Sequence, residues 1–339
     1  MRSEQEMFET ILRLAREEER IRAVYMNGSR ANPNVPRDLY QDYDIVYVVT
    51  ETKPFLADRG WLAPLGEIAV CQEPDGNDAA LGKPVHPERS YTWLMLFKDG
   101  NRIDLHIQTR EVLAEEYGKD KLTVPLLDKD GLLPELPPPS DEDYRVLRPS
   151  EAEYLACCNE FWWCLNNMAK GIARDQLPYV MWMYHVIVRD MLHKMLDWYI
   201  GVRTEFRVNV GMSGKYYRKY LPQHLYEQYA RTYSGSEYDA VWASVFTACG
   251  LFRTVAAAVG DALGYPYNRE EDENMTAYLS RMQDDSCRMQ EDAGRMREEA
   301  GRMRGDACRM QEEAGRMRED DPRVEAAEAA PILRKEPNR

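Results

Sequence analysis

Between residues 5 and 19 apolar side chains recur three and four apart, at Met7, Phe8, Ile11, Leu12, Leu14 and Ala15. That spacing lays a single apolar stripe on a helix and predicts an amphipathic helix at the start of the chain. The period then shortens. IRAVYM (21–26) and YDIVYVV (43–49) are short, rich in β-branched and aromatic residues, and read as strands. EIAVCQE (67–73) reads as a third. YTWLMLF (91–97) and RIDLHIQ (102–108) flank KDGN, and the Asp99-Gly100 pair is a hairpin signal. Along the last strand Ile103, Leu105 and Ile107 alternate with Asp104 and His106, so an apolar face backs one that carries a carboxylate.

Farther along, the pattern becomes helical. EYLACCNEFWWCLNNMAKGIARDQ and YVMWMYHVIVRDMLHKMLDWYIG hold apolar groups at helical intervals and are too long and too charge-punctuated for strands. Residues 149 to 267 should form a helical bundle. Before them, LLPELPPPSDEDY (132–144) is proline-rich and acidic, which predicts a linker, because proline interrupts both element types. Residues 281–320 repeat with period seven: Met282, Met289, Met296, Met303, Met310 and Met317 share one heptad position, and Ala293, Ala300, Ala307 and Ala314 each follow a Met by four. This matches a coiled-coil seam. The seam is thin, since Ala buries little and the recurrent Gly lowers helicity by about 1 kcal/mol each. A solvated, partly helical appendage is favoured over an oligomerising coil.

With 339 residues there is chain enough for two domains. The net charge of -14, from 44 basic and 58 acidic side chains, argues against a phosphate-tracking nucleic-acid surface. It suits a cationic partner as well as a plain solvated acidic surface. Residues 275–339 hold 13 basic and 15 acidic groups, so the acidity belongs to the body rather than the tail. Seven cysteines with no C-x-x-C pair predict reduced thiols, not a disulfide framework or zinc site. His185 and His193 lack a carboxylate-rich ligand set and read as packing residues. No run reaches the roughly 18 apolar residues of a membrane span, and Met1 leads into a charged stretch rather than a signal peptide. The expectation is a soluble, cytoplasmic protein with no membrane or nucleic-acid partner.

The chemistry gathers in GSRANPNVPRDLYQDYDIVYVV (28–49). Asp42 and Asp44, two residues apart at the mouth of an apolar strand, point to one side and repel unless a cation lies between them. Mg²⁺ takes oxygen ligands and keeps positions for substrate phosphates. Asp104, on the open face of a neighbouring strand, supplies a third carboxylate, and the trio could hold one or two Mg²⁺ ions. Gly28 lets backbone approach a phosphate closely, and the Ser29 hydroxyl and nearby N–H groups can hold its oxygens. The competing reading is a turn glycine with three surface aspartates at strand ends.

The order strand, Gly-Ser, Asp-x-Asp strand and later Asp resembles the nucleotidyltransferase superfamily. NGSRANPNVPRDLYQDYDIVYVV further resembles the signature of bacterial aminoglycoside 6-adenylyltransferases, also called streptomycin adenylyltransferases. FKDGNRIDLHI, LLDKDG, NEFWW, AKG and GKYYRKYL resemble that family's blocks in the same order, over about residues 5 to 270. The heptads fall outside this stretch. Asn27 departs from the family, in which an acidic residue is commoner before Gly-Ser. The resemblance implies an α+β fold: an N-terminal nucleotidyltransferase-type mixed sheet with helices (1–135), a linker (136–148), a helical domain closing on substrate and nucleotide (149–274), and a heptad-repeat tail, partly helical or disordered (275–339).

It also implies transfer of AMP from ATP to a hydroxyl of streptomycin, the 6-hydroxyl, with release of pyrophosphate. Asp42 and Asp44 would bind Mg²⁺, and Asp104 would bind a second ion, act as general base, or both. Gly28, Ser29 and Arg30 would lie near the phosphates. Lys215 matches a family lysine and would meet triphosphate charge, or else be a solvated helix lysine. Streptomycin carries guanidinium groups, which carboxylates bind bidentately. Glu160 and Asp190, acidic residues within apolar helical stretches, would either face the drug or form internal salt bridges, for example to Arg174 or Lys170. Trp162, Trp163, Trp182 and Trp198 are expected mainly in the core. The alternatives are the same fold acting on another acceptor, such as a protein or an RNA end, and a catalytically silent binding module.

Overall fold

The computed structural model describes residues 1–319, with side chains beyond Ser286 described only in part. It comprises two compact units. The first is Met1–Arg148 with Arg203–Tyr216; the second is Pro149–Val202 with the chain from Tyr217 onward.

Unit 1 opens with α1 (Glu4–Glu17), set by a capping box in which the Ser3 hydroxyl accepts from the Glu6 N–H and the Glu6 carboxylate accepts from the Ser3 N–H. Then follow β1 (Ile21–Asn27), β2 (Tyr43–Val49), α2 (Lys53–Ala57), β3 (Ile68–Gln72), α3 (Pro74–Ala80), β4 (Ser90–Phe97), β5 (Arg102–Gln108), α4 (Arg110–Glu116) and β6 (Val124–Asp128). The sheet order is β3-β4-β5-β2-β1-β6. β2 and β5 run parallel; the other neighbours are antiparallel. One face carries the main core, in which Ile45, Tyr47, Trp93, Met95, Ile103 and Leu105 pack with the buried stripe of α1. The other face carries only a small cluster of Ala23, Tyr25, Val46, Val48 and Leu113. The thinly covered face is the one left open for a site.

The third strand proves to be an exposed edge, with Val70 62% exposed. β6 was not expected. Its Pro125 lacks an N–H, which the edge position and a register shift opposite Tyr25 accommodate. The proline-rich stretch is no free linker. The Asn34 amide donates to Asp141 at 2.8 Å, Asp141 is buried, and the Val146 N–H donates to the Val208 carbonyl at 3.1 Å. Proline excludes helix and strand there, yet side-chain and backbone bonds tie the segment to unit 1.

Unit 2 is helical. A second capping box, Ser150 with Glu153, starts α5 (Glu151–Ala173). After a short turn, α6 (Leu177–Trp182), a π-helical turn over Met183–Val188 and α7 (Arg189–Arg203) follow without a break. Then come α8 (Tyr217–Tyr220), α9 (Gln223–Ala230), α10 (Tyr238–Leu263) and α11 (Arg269–Glu319). Phe161 of α5 stacks on Phe252 of α10 at 3.7 Å, with Trp162 edge-on to both. By length and composition α10 could cross a membrane, but more than half of its apolar window is buried within the protein, as in a core helix. The packing of unit 2 continues past residue 274, where the tail was expected to begin. Arg253 clasps the buried Asp272 with two bonds of 2.5 Å, and Leu279 and Ser286 are buried too. The heptads continue α11 as helix to Glu319, with Met303 and Met310 exposed. The end of the last heptad and residues 320–339 lie outside the described residues.

Candidate active site

Parallel pairing of β2 with β5 sets Asp44 in register with Asp104, on adjacent strands. Asp42 lies just before β2 rather than on it. Between these carboxylates stands Arg102, which the sequence reading did not single out. Its Nε and Nη2 donate to the two Asp104 oxygens at 2.7 and 2.8 Å, and its Nη1 lies 3.4 Å from Asp42 Oδ2. Arg102 precedes Asp104 by two on one strand, so the period-two rule places both on one face.

Burial pushes the Asp44 carboxyl up to about 6, with the charges of Asp104 and Asp42 adding to the rise and Arg102 opposing it. Asp42 is raised as well, by burial first and by Asp104. Raised carboxyls beside further carboxylates mark a place that is short of positive charge. The donor set, carboxylate oxygens without nitrogen or sulfur, is that of a Mg²⁺ site. Among the described residues no group of three His, Cys, Asp or Glu side chains converges as a ready-made metal cage. Arg102 draws Asp42 and Asp104 onto itself, and an ion would have to compete with that guanidinium.

Gly28 ends β1 at φ 76°, a conformation that favours glycine. A Cβ there would collide with Asp44 Oδ2 and lie 2.7 Å from Asp44 Cγ. The close approach of backbone to carboxylate therefore requires glycine. Ser29 begins a 3₁₀ turn directly after it.

Arg30 departs from its expected role. It is 2% exposed, stacks over the Tyr43 ring at 3.9 Å, and donates to the carbonyls of Gln41 and Asp42, with Glu4 at 3.2 Å. Its donors fix the entry to β2 and are not free for a phosphate. Lys215 belongs to unit 1 rather than to the helical half, follows a 3₁₀ turn, and is exposed with its Nζ over the Tyr216 ring. It does not line the cavity described next.

That cavity, about 760 Å³, opens on the thin face of the sheet and lies wholly within unit 1. Gly28, Asp44 and Asp104 line it together with Thr92, His106 and Asp120. His106 Nδ1 lies 2.9 Å from the Thr92 hydroxyl, and the Thr92 N–H donates to Asp75 at 2.9 Å. Burial lowers the His106 pKa, so the ring is held neutral at neutral pH. Glu116 and Asp120 add carboxylates to the wall. They sit at the end of α4 and beyond, where no sequence pattern separates them from ordinary surface acids.

Glu160 and Asp190 are elsewhere. Both lie in unit 2 on exposed faces; Glu160 accepts from the Cys164 thiol at 3.2 Å, and Asp190 pairs with Lys194 at 2.9 Å. The expectation that they are embedded carboxylates fails, because the helices that carry them are apolar on the other side. Of the tryptophans, Trp162 is buried, while Trp163 and Trp182 are exposed.

A family model described as streptomycin adenylyltransferase matches residues 1–282. An aminoglycoside 6-adenylyltransferase of Campylobacter jejuni is 36% identical over 283 residues, covering 84% of this chain and 96% of that protein. Another, from Bacillus subtilis (strain 168), is 37% identical over 281 residues, covering 82% of this chain and 97% of its own length. The crystal structure of an aminoglycoside 6-adenyltransferase from Bacillus subtilis aligns at 32% identity over 83% of this chain and 99% of that one, with a TM-score of 0.41.

Proposed function

The chain belongs to the streptomycin adenylyltransferase family, and on that premise we propose that it transfers AMP from Mg-ATP to the 6-hydroxyl of streptomycin, inactivating the drug and releasing pyrophosphate. The observation that carries this reading is the register of Asp44 with Asp104 on a cavity edged by Gly28, with Asp42 tied to Asp104 through Arg102. Asp42, Asp44 and Asp104 would hold Mg²⁺. Bound there, the ion neutralises phosphate charge and makes the acceptor hydroxyl more acidic.

The protein's own groups do the rest. Gly28 brings the backbone close to the nucleotide phosphates, and Ser29 offers its hydroxyl to them. Asp104 takes the proton from the acceptor hydroxyl. Arg102 offsets the mutual repulsion of Asp42 and Asp104. The acceptor is cationic, and Glu116 and Asp120 of the same cavity would receive it, Glu116 by giving up its ion pair with Lys119 and Asp120 beside the bonds it accepts from Leu122 and Tyr144. Guanidinium fits a carboxylate with two parallel hydrogen bonds, which a lone amine cannot match. Since Mg-ATP is the co-substrate, the reaction takes place in the cytoplasm.

The test is pyrophosphate release by the purified chain with Mg-ATP and a panel of aminoglycosides. Release should depend on streptomycin and be weak with kanamycin, which offers amines only. Equal turnover with kanamycin overturns the guanidinium argument. Turnover with no aminoglycoside acceptor at all overturns the assignment.

A further inference from the structure

Unit 2 contains a cavity of its own, about 520 Å³, lined by Asn167, Lys170, Arg174, Gln176, Pro178 and Tyr179. None of these residues is among those assigned to adenylyl transfer. The volume falls in the range of small-molecule sites, and the hollow is open to solvent, with Arg174, Gln176, Pro178 and Tyr179 exposed. Its chemistry is one-sided: two cations, two amides and a phenol, with no carboxylate.

Some cations of unit 2 are neutralised by carboxylates. Lys194, for example, pairs with Asp190, and Arg253 with Asp272. Among the described residues, neither Lys170 nor Arg174 has an ion-pair partner, and the Asn167 and Gln176 side-chain amides have no hydrogen-bond partner. Asp175, next in sequence to Arg174, is engaged elsewhere and accepts from the Tyr238 hydroxyl at 2.9 Å. The α5 dipole favours one cation in its last turn, where Lys170 lies. It favours Arg174 too, which is the C-cap of α5, but it does not account for two amides meeting at the same hollow.

We infer that this cavity is a binding site for a condensed phosphate, either free pyrophosphate or the phosphate chain of a nucleotide. Arg174 can grip two oxygens of one phosphate through its planar fork, and Lys170 supplies a point charge. The Asn167 and Gln176 amides donate to oxygens that the cations leave. A diphosphate has oxygens enough to use all four side chains, whereas a single carboxylate does not. The half-buried position of Lys170 strengthens its attraction to an anion, because water screens it less.

The experiment is calorimetric titration of the full chain with pyrophosphate in EDTA, which removes any metal-dependent binding at the carboxylates of unit 1. Binding should be present in the wild type and weaken with salt. It should fall at least about tenfold in Lys170→Met/Arg174→Ala, as loss of two charge-assisted contacts requires. Arg174→Glu, at an exposed position that leaves folding intact, should abolish it, and Arg174→Lys should retain part of it. Asp104→Asn should bind pyrophosphate as the wild type does while losing transfer, so failure of this site and failure of the transfer reading are distinguishable. In parallel titrations, equal losses for metal-free ATP and pyrophosphate identify the nucleotide chain as the occupant; a loss confined to pyrophosphate and phosphate identifies the free anion. No binding by the wild type, or undiminished binding by Arg174→Glu, overturns the inference.

Discussion

Asp44 and Asp197 are two carboxyls in the two units, and burial pushes both up to about 6. Their surroundings differ. The Tyr217 hydroxyl shares its one proton between Asp197 at 2.5 Å and the His193 carbonyl at 3.0 Å. His193, with its own pKa lowered to about 4 by burial, meets Tyr229 through Nε2 at 3.0 Å. That network is closed by hydroxyls and rings. Asp44 instead has two further carboxylates beside it, a guanidinium shared among its neighbours, and a cavity in front. A raised pKa alone therefore does not tell the two carboxyls apart; like charge beside a cavity does.

The largest effects should come from breaking this contrast directly. Asp104→Asn or Asp44→Asn should lower streptomycin-dependent pyrophosphate release by about a thousandfold or more, as loss of a central electrostatic group does, with circular dichroism unchanged. Asp197→Asn should leave turnover within a few-fold. Comparable losses for Asp197→Asn and Asp104→Asn would erase the distinction. Next comes Gly28→Ala. The added methyl must displace Asp44, and the backbone is held at positive φ, so turnover should drop roughly a hundredfold through misplacement. Wild-type turnover in that variant would show that the close approach is not needed.

A subtler separation uses pH. Both carboxyls have folded pKa values near 6, above the unfolded value of 3.8. The folded state thus holds protons more tightly, and the stability each contributes is full below pH 3.8 and lost as pH rises through 6. Each should remove on the order of 2 kcal/mol between pH 4 and 7. Asp44→Asn and Asp197→Asn should each flatten that slope in melts of the metal-free protein. Millimolar Mg²⁺ at pH 7.5 should raise the melting temperature of the wild type and of Asp197→Asn but not of Asp44→Asn. A Mg²⁺ shift that survives Asp44→Asn would remove this residue from the ion site.

The smallest effect is expected at the tail. Truncation after Arg288 leaves Leu279 and Ser286 in place, and turnover should stay within a few-fold. Truncation after Glu273 strips the buried Leu279, worth about 2 kcal/mol of burial, and should lower the melting temperature measurably. Equal melting temperatures for the two truncations would show that α11 adds nothing to unit 2.

What the chain discloses in advance follows from how local each signal is. Alternation along residues 102–108 and the apolar run at 43–49 expose strands and carboxylates together, because both are written within seven residues. Gly28 is legible for the same reason. Arg30 misleads, since whether a guanidinium is free depends on carbonyls at 41 and 42 that bend back onto it. Glu160 and Asp190 mislead because the apolar content of a helical stretch does not say which face a carboxylate occupies, and both lie on exposed faces. Arg102 was available from period two alone. The Lys170 and Arg174 cavity was hidden, since what distinguishes it is the absence of carboxylates in space, and no stretch of sequence records that.

The single parallel pair has a kinetic consequence. β4 and β5 are joined by a tight turn and can pair early, whereas β2 must wait for a crossover of some fifty residues, containing β3 and β4, before it meets β5. Closing such a loop is entropically costly, and non-local pairing is slow. The carboxylates come into register only at that step, so activity should be among the last properties regained on refolding, after most of the secondary structure has returned. During synthesis, too, a ribosome that has not passed Gln108 holds a chain with a Gly-Ser turn and an Asp-x-Asp strand but no centre.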